Sequence, residues 1–303
     1  MRSFSRAYYK GERGNKPYDL KRMLRIYLVQ NPYNLLDMAT VTEMIDSRAF
    51  SDFCGVESSN QVPDGDTLGR FRNLLIRNNL QEKLFAQVVE LLAQRGLILK
   101  KGTIVDSTFI ESPSSTKNRN KQREPEAHSA KKGNTWHFGY KAHIGADSKS
   151  GLVHTVKVTA ANVHDVIVTS DMLTGEEEVV YGDSGYPSSD KRPKAQKKNR
   201  AGKANCYKLN RRPSASKKRS ACSKAQIKRR EHEKSSVRAR VEHVFAVVKQ
   251  RLRFCKTRYQ GLRKQIAKLN MRFALADFLR DILDSSAGRG CFILSRGHYT
   301  VLP

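Results

Sequence analysis

Three carboxylates, Asp106, Asp183 and Glu242, have neighbours that favour a metal site. Asp106 lies in IVDSTFI, where strand alternation places it on one face with Ile104 and Ile110. A charge on an apolar strand face is costly unless it is paired or bound to a metal. Asp183 ends the apolar run VVYGD, just where the chain turns. Because ligands gather at the carboxyl ends of strands in α/β sheets, the two aspartates are expected to meet there.

Glu242 lies among cations in the helical stretch RARVEHVFAVVKQRLRF. At about 100° per residue, Arg238 falls about 40° from Glu242 and Lys249 about 20°, with spacings of roughly 6 and 10 Å along the axis. The three side chains therefore form one polar row. The buried stripe of the same helix is predicted to contain Val241, Val244, Phe245, Val248 and Leu252.

A site made of carboxylates, without Cys or His, favours a hard cation such as Mg²⁺ or Mn²⁺. Two such ions, about 3.5 to 4 Å apart, can activate a water or a DNA 3′-hydroxyl and stabilise the leaving oxygen of a phosphodiester. Arg238 and Lys249 would then bind the flanking phosphates.

Each carboxylate also has a purely structural explanation. Asp106 could bond to backbone at a strand end, and Asp183, which precedes Ser-Gly, could belong to an ordinary turn. Glu242 could form a solvated pair with Arg238, worth only a few tenths of a kcal/mol. The residues alone leave these alternatives open.

Charge and composition predict a polyanionic partner. The 303-residue chain carries a net charge of +28, and residues 191–276 contain 29 Lys and Arg against three acids, a net charge of +26. The five cysteines form no C-x-x-C pair, and neither a secretion signal nor a long apolar run is present, so a cytoplasmic protein without a zinc site is expected. No G-x-x-x-x-G-K-[ST], G-x-S-x-G or H-E-x-x-H motif occurs, so nothing indicates ATP hydrolysis or these hydrolase sites.

Residues 1–100 are predicted to form an all-helical domain. Apolar residues recur at spacings of three and four in DLKRMLRIYLVQ, DMATVTEMID, DTLGRFRNLLIRNN and LQEKLFAQVVELLAQRG. Asp66 or Thr67 is predicted to cap the third helix, and Gly96 to end the fourth. The fourth helix is predicted to bury one stripe: Leu80, Leu84, Val88, Leu91 and Leu92.

After residue 101 the pattern predicts an α/β domain, a mixed sheet with helices packed on it. GTIVDSTFI, NTWHFGYKAHIGAD, GLVHTVKVTA and EEVVYGD are predicted strands, VIVTSDML a short helix and ADSKSG a hairpin turn. Residues 110–133 are predicted to be a long loop, 191–234 an exposed basic insertion before the Glu242 helix, and 286–303 a tail.

The strand NTWHFGYKAHIGAD alternates strictly, which predicts two different faces. The apolar face is predicted to contain Trp136, Phe138, Tyr140, Ala142 and Ile144. His137, Lys141 and His143 fall on the other face. Lys141 and His143 are therefore candidates for DNA contact or simply for solvation.

SVRARVEHVFAVVKQRLRFCKTRYQGL resembles the signature helix of bacterial insertion-sequence DDE transposases of the IS-four/IS-five superfamily. That motif has Tyr, Arg, Glu and Lys with two, three and six residues between them. Arg238, Glu242 and Lys249 match it, and Ser235 stands where Tyr is common. DSTFIESPSSTKN, AKKGNTWHFGYKAHIGADSKSGLVHTVKVTAANVHD and VVYGDSGY are similar to the blocks around the family's two aspartates. LRIYLVQNPYNL and VPDGDTLGRFRNLL are similar to its helical N-terminal domain.

The resemblance implies a ribonuclease-H-like catalytic core over residues 101–285, with Asp106, Asp183 and Glu242 as a triad that binds Mg²⁺ or Mn²⁺. It implies cleavage of DNA at the ends of the insertion sequence, followed by attack of the freed 3′-hydroxyl on target DNA. It also implies a nucleoid-associated protein that forms a homodimer when it joins two ends. The candidate readers of the ends lie on one N-terminal helix: Arg70, Arg72 and Arg77.

Two other functions are compatible with the same residues. A catalytically decayed or regulatory relative would bind DNA with steep salt dependence and without metal-dependent cutting. A nuclease of the same core fold would cut according to DNA shape, without preference for particular ends.

Overall fold

The computed structural model describes residues 8, 17–117, 119, 121–186, 205–210 and 221–287. Its N-terminal part is helical, as predicted. The helices are α1 (Leu20–Gln30), α2 (Asp37–Asp46), α3 (Arg48–Cys54), α4 (Gly65–Arg77) and α5 (Leu80–Gln94). Helix α3 was not predicted, because its seven residues are too few to show a helical period.

The predicted cap of α4 was wrong, and the predicted stripe of α5 was only partly right, since Leu92 is buried and Leu80, Leu84 and Val88 are partly buried. Asp64, and not Asp66 or Thr67, caps α4, since its carboxylate accepts a hydrogen bond from the Thr67 backbone N–H. Leu91 of α5 is 38% exposed. Helix α5 lies between two hydrophobic cores, so two of its faces are covered and its periodicity could not identify the more buried one. Its buried residues are Gln81, Phe85, Val89 and Leu92.

A mixed six-stranded sheet forms the second part of the chain, as predicted. Its order is β2–β3–β1–β5–β6, and β4 pairs with β3 as well. Strand β1 is antiparallel to β3 and parallel to β5, which is parallel to β6. The strands are β1 (Gly102–Glu111), β2 (His128–Lys132), β3 (Thr135–Asp147), β4 (Val153–Ala160), β5 (Val179–Gly182) and β6 (Cys206–Leu209).

Strands β2 and β6 correct two predictions, since they lie in the predicted long loop and in the predicted basic insertion. Strand β2 has no clear apolar alternation and has largely exposed side chains, whereas β6 has only four residues, of which Tyr207 and Leu209 are partly buried. They are held by backbone pairing with β3 and β5. Pairing of this kind depends on the neighbouring strand and leaves little signal in the local sequence.

The described residues contain three further helices. They are α6 (Asp165–Val168), which continues as a 3₁₀ turn, α7 (Ala221–Ala246), which continues as a π-turn over Val247–Arg251, and α8 (Leu262–Ala287). Helix α7 begins well before residue 234, so the predicted insertion contains its first half, with Glu231 and Glu233. Most of its predicted apolar stripe is buried in the core that includes Ile104 and Ile144 of the sheet.

Helices α5 and α8 each contribute to both the core of the sheet and the core of the N-terminal helices. Phe85 of α5 belongs to the core of the sheet. Helix α8 contributes Phe273 to that same core and Met271 to the core of the N-terminal helices. In the described part of the chain, no helix combines the length and apolar character needed to cross a membrane.

Candidate active site

Two of the three predicted carboxylates lie side by side at the centre of the sheet. Ile104 of β1 pairs with Tyr181 of the parallel strand β5. Asp106 and Asp183 each follow these residues by two positions, and paired strands lie about 4.8 Å apart, so the two carboxylates are expected to lie close together. The charge of Asp183 acts on Asp106, which agrees with this placement. Asp183 follows the end of β5, whereas Asp106 lies in the middle of β1.

Local backbone bonds hold both carboxylates in place. Asp106 Oδ1 accepts a hydrogen bond of 2.8 Å from the Ser107 N–H. Asp183 Oδ1 accepts one of 2.6 Å from the Gly185 N–H. A Cβ atom at Gly185 would stand 2.8 Å from Asp183 Oδ1, so a glycine leaves the space that this carboxylate occupies. Backbone bonds of this kind were the purely structural alternative for both aspartates. They are formed here, and the two carboxylates nevertheless lie close to each other.

Asp106 carries an incompletely balanced negative charge. Burial raises the pKa of its carboxyl, and the neighbouring Asp183 raises it further, although the Arg238 guanidinium opposes both effects. Arg238 Nη2 lies 3.4 Å from Asp106 Oδ2. Arg238 Nε is buried without an acceptor among the described residues. The pair of aspartates therefore favours an additional cation beside it.

Glu242 does not complete a metal cluster with the two aspartates. Its side chain is exposed on α7, one turn beyond Arg238, or about 6 Å further along the helix axis. The residues that the structure describes include no group of three His, Cys, Asp or Glu side chains arranged to hold a metal ion. The predicted surface pair of Glu242 with Arg238 is also not formed, since Arg238 turns to Asp106 instead.

Lys249 lies at the far end of β1 from Asp183. It belongs to the π-turn that follows α7 and is half-buried. Burial lowers the pKa of its amino group, and the nearby charge of Lys132 on β2 lowers it further. Arg238 therefore lies beside Asp106, in the middle of β1, and Lys249 lies near Glu111, at the end of β1. The two cations do not bind the same side chain.

Lys141 and His143 are buried, so the predicted solvated face is wrong. Lys141 Nζ donates to Asp165 Oδ1 at 3.0 Å and to the Val163 carbonyl oxygen at 2.9 Å. His143 Nε2 lies 2.8 Å from the Thr159 hydroxyl, and burial lowers the pKa of His143 to about 4. In this structure neither side chain is accessible to a DNA phosphate. The alternation of β3 correctly predicted that Lys141 and His143 lie on the face opposite Tyr140 and Ile144. That face is not solvated, because α6 and the turns next to it cover it.

The three candidate arginines of α4 have different environments. Arg72 is largely buried, pairs with Asp37 and lies with its Cζ 4.4 Å from the ring centroid of Tyr259. It therefore stabilises the helical part of the chain and is not free to read DNA. Arg70 and Arg77 are exposed, and both line a groove of about 700 Å³ together with Asn73.

Sequence reasoning missed Tyr186 and Asp165 near the aspartates. Tyr186 is buried, and burial raises the pKa of its hydroxyl well above 10, with further increases from Asp106, Asp165 and Asp183. The available signal was the position of Tyr186, three residues after Asp183 in DSGY. Asp165 had no such signal, because only the fold brings α6 to the sheet.

Comparison with known families adds to this geometry. A family model described as "Transposase DDE domain" matches residues 99–278, which include Asp106, Asp183 and Glu242. A second one, "Transposase domain (DUF772)", matches residues 1–74. No solved structure matches the chain.

Proposed function

Because the chain belongs to the transposase family with a DDE domain, we propose that it cleaves the phosphodiester bonds at the ends of its own insertion sequence and joins the freed 3′-hydroxyl to target DNA. The observation that carries this proposal is the closeness of Asp106 on β1 and Asp183 just after β5, beneath helix α7. Family membership supports DNA as the partner and transposition as the process.

The residues fit a divalent cation in part. Divalent metal ions are typical of the family, and the adjacent carboxylates of Asp106 and Asp183 supply the oxygen ligands that Mg²⁺ and Mn²⁺ prefer. The raised pKa of Asp106 is consistent with a site that needs more positive charge. We propose Glu242 as the third ligand, since a change in its rotamer or in α7 would bring it from the exposed face towards Asp106. When bound, the metal would activate water or a 3′-hydroxyl and stabilise the leaving oxygen.

Arg238 has two tasks in this proposal. It balances the charge of Asp106 before a cation arrives, and its guanidinium has further donors that would bind a phosphate once the side chain turns towards the DNA. Lys249 contributes positive charge at the other end of β1, where the DNA backbone would continue. Both side chains position DNA without reading its sequence.

We propose that Arg70 and Arg77 of α4 read the ends of the element. They lie two turns apart on one exposed face and line the same groove. Deleting residues 1–100 would also remove α5 from the core of the sheet, so the sharper variants are Arg70→Gln and Arg77→Gln. Each is expected to weaken binding to end DNA. Joining two ends would take at least two copies of the chain, and we propose a homodimer in that complex.

The test is a cleavage and strand-transfer assay on DNA that carries the sequences flanking the gene, with Mg²⁺ or Mn²⁺. Asp106→Asn, Asp183→Asn and Glu242→Gln are each expected to lower the cleavage rate at least about 100-fold, because each removes a ligand from one site. Glu233→Gln is the matched control. Glu233 is an exposed glutamate of the same helix, about 180° round from Glu242 and paired with Arg229.

The assay also tests each of the three proposed metal ligands by itself. If Glu242→Gln cuts as well as the parent, the assignment of Glu242 is wrong. If the parent itself does not cut its own ends but binds them, a second function is favoured, a regulatory relative that binds DNA without transposition. The observation that supports this second function is the exposed position of Glu242, which joins no metal-ligand cluster among the residues that the structure describes.

A further inference from the structure

Strands β2 and β3 form a hairpin that extends from the edge of the sheet. We call residues 128–139 the basic hairpin. Lys131 pairs with Trp136 and Lys132 with Thr135, on either side of a turn at Gly133, where φ is +61°. The root of the hairpin is fixed, because the Phe138 carbonyl oxygen accepts a hydrogen bond of 2.8 Å from the Ser112 N–H.

Trp136 is the exposed aromatic residue of this hairpin. Its exposed fraction is 68%, although the alternation of β3 predicted that it belongs to the apolar face. The core ends before it, with Tyr140 fully buried and Phe138 only partly buried. The Cζ atom of Arg123 lies 5.5 Å from the ring centroid of Phe138. Aromatic rings and cations thus alternate along the outer part of this face.

The charge of the hairpin favours a polyanion. Residues 127–146 contain no acidic residue, and both Lys131 and Lys132 are exposed. The acids just before the hairpin are used elsewhere, since Glu124 Oε1 accepts from the Gly261 N–H and Glu126 Oε2 from the Leu262 N–H, at the start of α8. Lys131 stands directly across from Trp136, about 5 Å away between Cβ atoms. A ligand that stacks on Trp136 therefore also contacts the positive charge of Lys131.

The exposed ring lies on the same sheet face as the catalytic aspartates. Asp106 pairs with Ile144 of β3, and Trp136 precedes Ile144 by an even number of residues, eight. The distance along β3 from Trp136 to Ile144, the residue beside Asp106, is therefore at most about 26 Å. At about 3.4 Å per nucleotide, this corresponds to at most about eight nucleotides of bound DNA. Lys249, which lies close to Lys132, bridges part of this distance.

We propose that the basic hairpin is a DNA-binding element in which Trp136 stacks on a base, up to about eight nucleotides from the bond that is cut. An aromatic side chain beside exposed lysines is the arrangement by which proteins bind unstacked bases and their phosphates together. The position of the contact relative to the cut rests on the proposed function. The contact itself requires only that the protein binds DNA.

The fluorescence of the protein tests this directly, because Trp136 is the single tryptophan of the chain. The full-length protein is titrated with an oligonucleotide duplex that carries the flanking end sequence, without metal so that no cutting occurs. Binding is expected to quench the emission of Trp136 and to protect the ring from acrylamide. An unchanged emission together with unchanged acrylamide access in the bound complex would overturn the proposal. This readout requires no variant.

Variants measure the contribution of the ring to affinity. Trp136→Ala is expected to weaken DNA binding about tenfold or more, whereas Trp136→Phe should retain most of the affinity because it retains a stacking face. Lys131→Gln is expected to lower the slope of log affinity against log salt by about one. Ile167→Ala is the matched control, since Ile167 is an exposed apolar residue of α6, 55% exposed, on the opposite side of the sheet. Binding by Trp136→Ala that equals that of the parent would refute the proposal.

The outcomes separate this proposal from the proposed function. Quenching of Trp136 without any cleavage rejects the catalytic assignment and keeps the hairpin. Cleavage without quenching rejects the hairpin and keeps the catalytic assignment. A change of Trp136 emission with protein concentration in the absence of DNA, together with weaker self-association of Trp136→Ala than of the parent in sedimentation, would show that the ring contacts a second copy of the chain and would overturn the proposal.

Discussion

His154 is expected to make the stability of the fold depend on pH below about 6.5. The side chain is 8% exposed, with Nε2 3.1 Å from the Thr103 hydroxyl and Nδ1 2.9 Å from the Thr155 hydroxyl. Burial lowers the pKa of His154 to about 4, although Glu177 and Asp147 oppose the effect. The unfolded chain binds the proton with a pKa of about 6.5.

The sign follows from which state binds more protons. Between about pH 6.5 and pH 4 the unfolded state is protonated at this position and the folded state is not, so stability falls as the pH falls. With these two pKa values, lowering the pH from about 7 to 5 removes about 2 kcal/mol from the free energy of unfolding. Burial also lowers the pKa of His143 to about 4, and we expect His143 to add a similar loss in the same range.

The experiment compares urea unfolding of the parent and of His154→Gln at pH 7, 6 and 5. The variant retains hydrogen-bonding capacity for the two threonines but does not titrate. It is expected to lose about 2 kcal/mol less than the parent between about pH 7 and 5. His232→Gln, which replaces an exposed histidine of α7, should follow the parent. Equal pH dependence in the parent and in His154→Gln would refute the reasoning, because other buried acids and His143 are common to both.

Two further predictions concern the candidate site and the helical part. Gly185→Ala should lower the single-turnover cleavage rate about 100-fold with little change in melting temperature, because its Cβ would displace the Asp183 carboxylate; an unchanged rate would show that Asp183 tolerates another position. Arg72→Gln should lower the free energy of unfolding by about 2 kcal/mol, because it breaks the contact with Asp37. Arg77→Gln should leave the free energy of unfolding unchanged and weaken the binding of end DNA, because Arg77 is exposed. Urea unfolding and a binding titration on both variants check this pair, and a similar loss of stability in the two would contradict it.

Strong local patterns determined most of the elements. The periodic segments DLKRMLRIYLVQ and DTLGRFRNLLIRNN gave helices, and GTIVDSTFI and NTWHFGYKAHIGAD gave strands, within a few residues of the observed bounds. Their apolar residues follow one period along the whole segment, so that period reports their structure, although both faces of the two strands are covered in the fold. Strand β2 has no such pattern and the four residues of β6 are too few to show one, so both strands were missed. Helix α5 was predicted as a helix, but its two covered faces hid which side is the more buried.

For the candidate site, the sequence by itself predicted Asp106, Asp183 and Glu242 as candidates, because a carboxylate in an apolar strand or in a strongly basic helix is conspicuous wherever the chain folds, and the family resemblance supplied their proposed role. Only the tertiary structure decided which partners these residues have. Register brings Asp106 and Asp183 close together, Arg238 turns to Asp106 and not to Glu242, and α6 buries Lys141 and His143. Contacts of this kind join residues far apart in the chain, and their burial depends on which element covers a face, which local periodicity does not encode. For the same reason Trp136, which belongs to the apolar face by alternation, is exposed where the core ends.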